Sequence, residues 1–182
     1  MSVPEMGTPS VEVVTEFRGT DLGDLCDAAV AAIEGDGGFG WLKAPPRHIM
    51  EAHWKGLLLV PDRYLCVARL DGTIAGSALL VRPPRQNEAQ AATAQLSGTF
   101  IAPWARRRGL GRMLVTLAEA TAREHGGMVL NLDLRATQKS AIRFFEAQGY
   151  RRWGIHPAYA RVEGRTVAGH FFWKPLTPEA EP

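Results

Sequence analysis

The chain has 182 residues, 46% of them hydrophobic and 22% charged, which suits one globular domain with a sizeable core. A net charge of +2 excludes the generally basic face of a nucleic-acid binder, and no apolar run approaches the roughly 20 residues that span a bilayer. With only Cys26 and Cys66, and no CxxC or metal-type spacing, a disulfide scaffold is excluded and a reducing cytoplasm is the expected compartment.

Residues 1–10, "MSVPEMGTPS", have neither the basic nor the apolar region of a signal peptide and read as a flexible tail. Residues 11–17, "VEVVTEF", have the composition of a strand. From Asp21 to Glu34, the spacing of Leu22, Leu25, Ala29 and Ile33 predicts a helix capped by Thr20 or Asp21 and stopped by the "GDGGFG" of 35–40. A second helix is expected from Pro46 to about Leu58. "RYLCVARL" (63–70) and "TIAGSALLV" (73–81) flank Asp71-Gly72, a two-residue hairpin signal. A long strand over 91–103 ends at Pro103, and Leu110, Met113, Leu114, Leu117 and Ala118 form one face of a helix that stops near Gly126-Gly127. "MVLNLDLRA" (128–136) is a strand and 138–148 a short helix closed by Gly149. Two strands around Glu163-Gly164 follow, and 177–182 is a second flexible tail.

The order β-α-α-β-β-β-α-β-α-β-β predicts an α/β (α+β) domain over 11–176. Its sheet is mixed and mostly antiparallel, with six to seven strands and helices on both faces, and contains one parallel β-α-β crossover.

That crossover passes through "ARRRGLGRML" (105–114), which places four arginines and two glycines at a strand-to-helix join. The first turn of a helix has N–H groups without internal partners and the positive end of the helix dipole, and glycine lets an anion approach the backbone. The turn is thus built like a pyrophosphate cradle, although a tight turn with solvated arginines would look the same. It lacks the third glycine of GxGxxG, and no Gly-Lys-Ser/Thr follows, so neither a dinucleotide fingerprint nor a P-loop is present.

The spacing Arg106-x-x-Gly109-x-Gly111 after "IAP" resembles the acetyl-CoA signature of the GNAT family of N-acetyltransferases. The downstream Ala141-x-x-Phe144-Phe145-Glu146-x-x-Gly149-Tyr150 is similar to the same family's second motif. The resemblance covers roughly residues 11–175. "LDLRA" followed by "GIHPAYARVEGR" is also similar to a branch of small-amine and toxin acetyltransferases typified by tabtoxin-resistance protein. The resemblance implies acetyl-CoA as cosubstrate, with the pantetheine arm on the backbone of Phe100, Ile101 and Ala102. It implies the pyrophosphate on Arg106, Arg107, Arg108, Gly109, Leu110, Gly111 and Arg112. Lys139 and Arg143 would meet the 3′-phosphate or adenine edge, while Gln138 and Phe145 stand at the family's asparagine and tyrosine positions beside the cofactor.

Phe145 has no proton to give a departing thiolate, so the family's usual acid is missing. Tyr159 is the best side-chain candidate to replace it, the alternative being a tyrosine packed on the sheet. In "NLDLR", Leu130, Leu132 and Leu134 alternate with Asn131, Asp133 and Arg135, and a polar stripe on a central strand needs partners or a function. Asp133 matches the acidic residue of the small-amine branch and is the candidate base or ammonium-orienting group, the alternative being a salt bridge to Arg135 or to a helix residue.

His48 and His53 are five residues apart, about 140° around a helix, so they do not make a metal pair, and no metal is expected. By the same resemblance, Phe39, Trp41, His53 and His156 join Asp133 and Tyr159 as candidate acceptor-site residues. The expected activity is acetyl transfer to a primary amine of a small molecule in a ternary complex, by a monomer or homodimer without nucleic-acid or membrane partners. A catalytically impaired acyl-CoA-binding module is the alternative.

Overall fold

The computed structural model describes residues 7–36 and 39–181. Residues 1–6 of the expected N-terminal tail, Gly37 and Gly38 of the glycine-rich loop, and Pro182 lie outside the described residues. The elements follow the expected order: β1 (Pro9–Val14), α1 (Asp21–Asp36), α2 (Arg47–Leu59), β2 (Arg63–Leu70), β3 (Thr73–Val81), β4 (Thr93–Ile101), α3 (Leu110–Glu124), β5 (Val129–Arg135), α4 (Lys139–Ala147), β6 (Arg151–Val162) and β7 (Arg165–Pro175).

β1 begins and ends earlier than composition suggests, because its antiparallel ladder with β2 runs from Pro9 opposite Leu70 to Val14 opposite Leu65. A proline is acceptable at the first residue of such a strand. The Asp71-Gly72 and Glu163-Gly164 turns hold both residues at positive φ (51° and 81°, 48° and 77°), the sign pattern of tight hairpins that match strand twist. In the expected C-terminal tail, Pro178–Ala180 form one 3₁₀ turn and Glu181 pairs with Arg151.

The strands hydrogen-bond in the order β1-β2-β3-β4-β5-β7-β6. β4 and β5, joined through α3, are parallel, with Thr93–Gln95 against Val129–Asn131, while β5 with β7 and β7 with β6 are antiparallel. This is the expected mixed, mostly antiparallel sheet, with seven strands.

The chain divides into two compact units, one from the residues up to Leu79 with Gly98–Ala118, the other from Leu80–Ser97 with Glu119 onward. In the first, Leu25, Ala29 and Ile33 of α1, Met50, Trp54 and Leu57 of α2, and Leu65, Val67 and Ile74 of the strands form one buried cluster with Phe100 and Ala102. At its edge, Asp21 accepts from Arg69 (2.7 Å) and from the Arg18 N–H at the start of α1. The Arg69 hydrogen bond holds the Asp21 carboxyl below its usual range.

In the second unit the register places Leu132 opposite Phe172, both buried, so Asp133 opposite Phe171 lies on the other face. This unit also buries Glu119, whose Oε1 accepts from Lys174 Nζ (2.8 Å) and the Tyr150 hydroxyl (3.1 Å). Burial, with the Glu119 charge, pushes the Tyr150 phenol up. Among the described residues no helix is long and apolar enough to cross a membrane.

Candidate active site

In the first unit the arginine-glycine turn is an exposed loop between two fixed ends. Pro103–Ala105 make a 3₁₀ turn with Ala105 fully buried, and Leu110, also buried, opens α3. Between them Arg107 and Gly109 both have positive φ (61° and 77°). A non-glycine residue in that region is uncommon and concentrates where a loop must present its backbone. Met113 donates to the Gly109 carbonyl (3.1 Å), so the N–H groups of Leu110, Gly111 and Arg112 stand ahead of that helical bond, at the positive end of the dipole. A Cβ on Gly109 would meet nothing within 4 Å, so open space lies over the backbone at the turn. Arg106, Arg107, Arg108 and Arg112 are exposed, and Arg106 Nε donates to the Ile101 carbonyl (3.1 Å), folding the turn back against the end of β4.

That end of β4 is re-aimed by Gly98, at φ 55°, whose carbonyl accepts from the buried Ser77 hydroxyl (3.3 Å). Gly76 on β3 lets the strands approach, since a Cβ there would stand 2.3 Å from the Phe100 oxygen. Ala102 donates to the Ala75 carbonyl (2.7 Å) and accepts from Ala105 (2.9 Å). The Ala102 N–H is therefore spent inside the fold, on the edge of β4 that faces β3. By strand alternation Ile101 directs its backbone to the opposite edge.

The other cofactor residues belong to the second unit. Lys139 and Arg143 are exposed on the first turns of α4, four residues apart and so on one face. Gln138 serves the chain instead, its Oε1 accepting from the Arg135 N–H (3.1 Å) at the β5-to-α4 turn. The Phe145 ring is 3% exposed, between Phe144 and Tyr150 at 5.2 and 5.3 Å. It packs as a core ring in this structure.

The second unit also brings Asp133 and Tyr159 together. Half-buried Asp133 accepts from Gln95 Nε2 at Oδ1 (2.9 Å) and from the Tyr159 hydroxyl at Oδ2. Tyr159 comes from an irregular stretch of β6: four residues separate His156 from Ala160, while their partners Gly169 and Val167 are two apart on β7. The extra length throws Tyr159 back across β7, over Gly169. His156 shapes this bulge, its Nδ1 accepting from the Ala158 N–H (3.1 Å).

Burial, then the hydrogen bond and charge of Asp133, push the Tyr159 phenol up to about 12. Its hydroxyl donates to Asp133, which leaves the lone pairs of the phenolic oxygen to accept from a third group.

Phe39, Trp41 and His53 gather in the first unit instead. Phe39 stacks on Phe100 (4.3 Å, 9°), and Trp41 and Trp54 hold His53 edge-on at 4.8 and 5.1 Å. Partial burial, with the charge of Arg63, lowers the His53 pKa. His48 is exposed on α2. A cleft of about 400 Å³ in this unit, lined by Asp27, Glu34, Arg47 and Met50, contains none of the expected acceptor residues.

Residues 28–150 match the model of the acetyltransferase (GNAT) family, which is more than half of the chain. The chain belongs to the GNAT acetyltransferase family. It is 55% identical over 130 residues to an uncharacterized N-acetyltransferase in the hisH-hisA intergenic region of Azospirillum brasilense, covering 71% of this chain and 77% of that one. Its fold is shared with the yncA protein of Salmonella typhimurium, solved with its cofactor acetyl-CoA. That likeness has a TM-score of 0.72 at 18% identity and covers 96% of this chain and 97% of the other. The ribosomal-protein-S18-alanine N-acetyltransferase of Escherichia coli also shares it, with a TM-score of 0.68 at 19% identity over 93% and 95%.

Gln95, Gly98, Gly169 and the β6 bulge were not singled out in the sequence. Gln95 alone carried a signal, as a polar residue between Ala94 and Leu96, both buried.

Proposed function

We propose that this chain is an acetyl-CoA-dependent N-acetyltransferase that acts on the primary amine of a small molecule by direct transfer in a ternary complex. The observation that carries the reading is the Asp133 carboxylate held by Gln95 and Tyr159 in a chain of this family. Acetyl-CoA supplies an activated thioester. The open backbone and arginines of the 106–112 turn fit its pyrophosphate.

The amine arrives as an ammonium and must lose a proton before it attacks. The Tyr159 oxygen takes a proton from the ammonium while its own proton passes to Asp133, which becomes a neutral carboxylic acid. Nitrogen then bonds to the thioester carbonyl carbon and the C–S bond breaks. A second nitrogen-bound proton goes to the departing sulfur, and Asp133 returns the first to solvent. A positioned acid–base group of this kind contributes about 10²–10⁴-fold, and holding amine and thioester together supplies much of the rest.

Cys26 and Cys66 are buried thiols, which suits a reducing cytoplasm, and no second chain is needed for the arrangements described, so a monomer or homodimer serves equally. The test is thiol release from acetyl-CoA against a panel of polyamines, amino acids, aminoglycosides and peptides. Turnover of small amines supports the reading, whereas acetyl-CoA binding without turnover of any amine would return the protein to an acyl-CoA-binding role.

A further inference from the structure

Beside the Tyr159–Asp133 pair, the same face of the sheet carries an apolar slot. The register aligns three residues across the strands: Asp133 on β5 opposes Phe171 on β7, which opposes Gly154 on β6. Directly opposed residues share a face, so a side chain at 154 would stand on the face that carries Phe171 and Asp133. Glycine leaves that place empty, and a Cβ there would meet nothing within 4 Å.

The slot has two aromatic walls. Tyr159 stands edge-on to Phe171 at 5.8 Å and 86°. On the other side Trp153, bulged out of the β6–β7 ladder between Arg152 and Gly154, leans on Phe171 at 5.6 Å and is 66% exposed. With the Phe171 and Tyr159 rings, this open indole makes a contiguous apolar surface beside Asp133. Further along β7, Trp173 is covered by the Arg151 guanidinium at 5.0 Å, which limits the slot to about one ring.

We infer that the acceptor is an amine with an aromatic or similarly bulky apolar body, which lies on Phe171 between Trp153 and Tyr159 while its ammonium meets the Tyr159 oxygen and Asp133. Charge complementarity fixes the orientation: the carboxylate stands at one end of the rings, and solvent at the other. Polyamines and aminoglycosides, whose bodies are polar, would leave these rings wet. The inference rests on the proposed acetyl transfer to small amines and narrows it to one substrate class.

The test compares 2-phenylethylamine with ethanolamine as acceptors, by thiol release, in wild type, Gly154→Val and Trp153→Ala. Wild type is expected to show a kcat/KM at least tenfold higher for 2-phenylethylamine. Gly154→Val puts a branched side chain into the space that glycine leaves open, where its Cβ meets nothing within 4 Å, and should raise the KM for 2-phenylethylamine at least tenfold. Its KM for acetyl-CoA, its rate with ethanolamine and its thermal midpoint should stay unchanged. Trp153→Ala, at an exposed position, should move the same KM in the same direction. Equal use of the two amines by wild type, or an equal loss on both in Gly154→Val, overturns the slot and leaves the acetyltransferase reading standing. Absence of thiol release with either amine and with the full amine panel overturns both.

Discussion

The Tyr159 ring crosses β7 at Gly169, where a Cβ would stand 2.2 Å from Tyr159 Cγ and 2.4 Å from Cδ2. Only glycine lets a tyrosine of β6 reach a carboxylate of β5 across the strand between them. Gly169→Ala must push the ring away and break its hydrogen bond to Asp133. The expected result is a fall in kcat of at least tenfold, with acetyl-CoA affinity unchanged and a stability loss of about 1–3 kcal/mol, as for other overpacked sites. Rates and thermal denaturation of the same preparation check it, and a near-normal kcat would show that the Tyr159–Asp133 contact is dispensable.

Asp133→Asn and Tyr159→Phe each cut one proton path at a different atom. Asparagine at 133 still accepts a hydrogen bond but cannot take the proton, and phenylalanine at 159 removes the acceptor for the ammonium. Each should lower kcat by about 10²-fold or more, at the level of one acid–base group. The double variant should be little worse than either single one, because groups that act as a unit are not additive. If Tyr159 served the thiolate instead, the two losses would multiply.

The sequence made the elements legible because each had a local cause. Helical spacing set α1 and α3, paired turn residues set both hairpins, and the polar alternation of Asn131, Asp133 and Arg135 marked the face of β5 opposite buried Leu130 and Leu132. For the candidate site, residue type alone singled out Asp133, Tyr159 and the glycines of the 106–112 turn. What could not be read there depends on register across strands. Two extra residues in β6 decide where Tyr159 points, and the pairing of β4 with β5 decides that Gln95 reaches Asp133. Gly154 and Gly169 gain their meaning from what stands opposite them. Phe145, at the position of the family's tyrosine, proved to be core, because its ring is enclosed by Phe144 and Tyr150.

Gly109→Asp tests the cradle. The backbone there is left-handed, at φ 77°, and the space above it is open, so a carboxylate would sit where the pyrophosphate is expected. Strain at a positive φ costs about 1–3 kcal/mol, and the like charge adds repulsion. CoA binding measured by calorimetry should weaken at least a hundredfold. Gly109→Ala separates the causes: it carries the strain without the charge and should retain part of the binding. Normal CoA affinity in Gly109→Asp would show that the turn does not hold the phosphates.

Stability toward acid should depend on Asp21, whose carboxyl Arg69 holds below the usual range. A carboxyl with a depressed folded pKa contributes stability that is fully present above its unfolded value, near about 3.9, and is lost as pH falls through the folded value. Thermal midpoints of the wild type should therefore hold through neutral pH and fall below about pH 4. Asp21→Asn should be less stable by about 1–3 kcal/mol at pH 7, the range for a hydrogen bond to a charged group. The difference should shrink as pH drops. A gap that stays constant from pH 7 to pH 2.5 would mean that the pair contributes by shape alone.

The Glu119–Lys174 pair makes a last, separable demand on stability. Glu119 is 8% and Lys174 23% exposed at the side chain, and the carboxylate also accepts from Tyr150. Lys174→Met removes the nearer compensating charge and leaves Arg123 Nη2, at 4.0 Å from Oε2, as the remaining one, so the loss should lie below the ~3–5 kcal/mol typical of a buried pair left with no partner. Changing both partners, Lys174→Met with Glu119→Leu, removes the buried charge together with its partner. The double variant should recover most of the loss, apart from the hydrogen bond to the Tyr150 hydroxyl. Urea denaturation of the three proteins reads this directly. A double variant as unstable as Lys174→Met would show that the lysine acts through its stem, packed on Gly149 with its Cε 3.6 Å from a Cβ there, and over the Tyr150 ring at 5.4 Å, instead of through its charge.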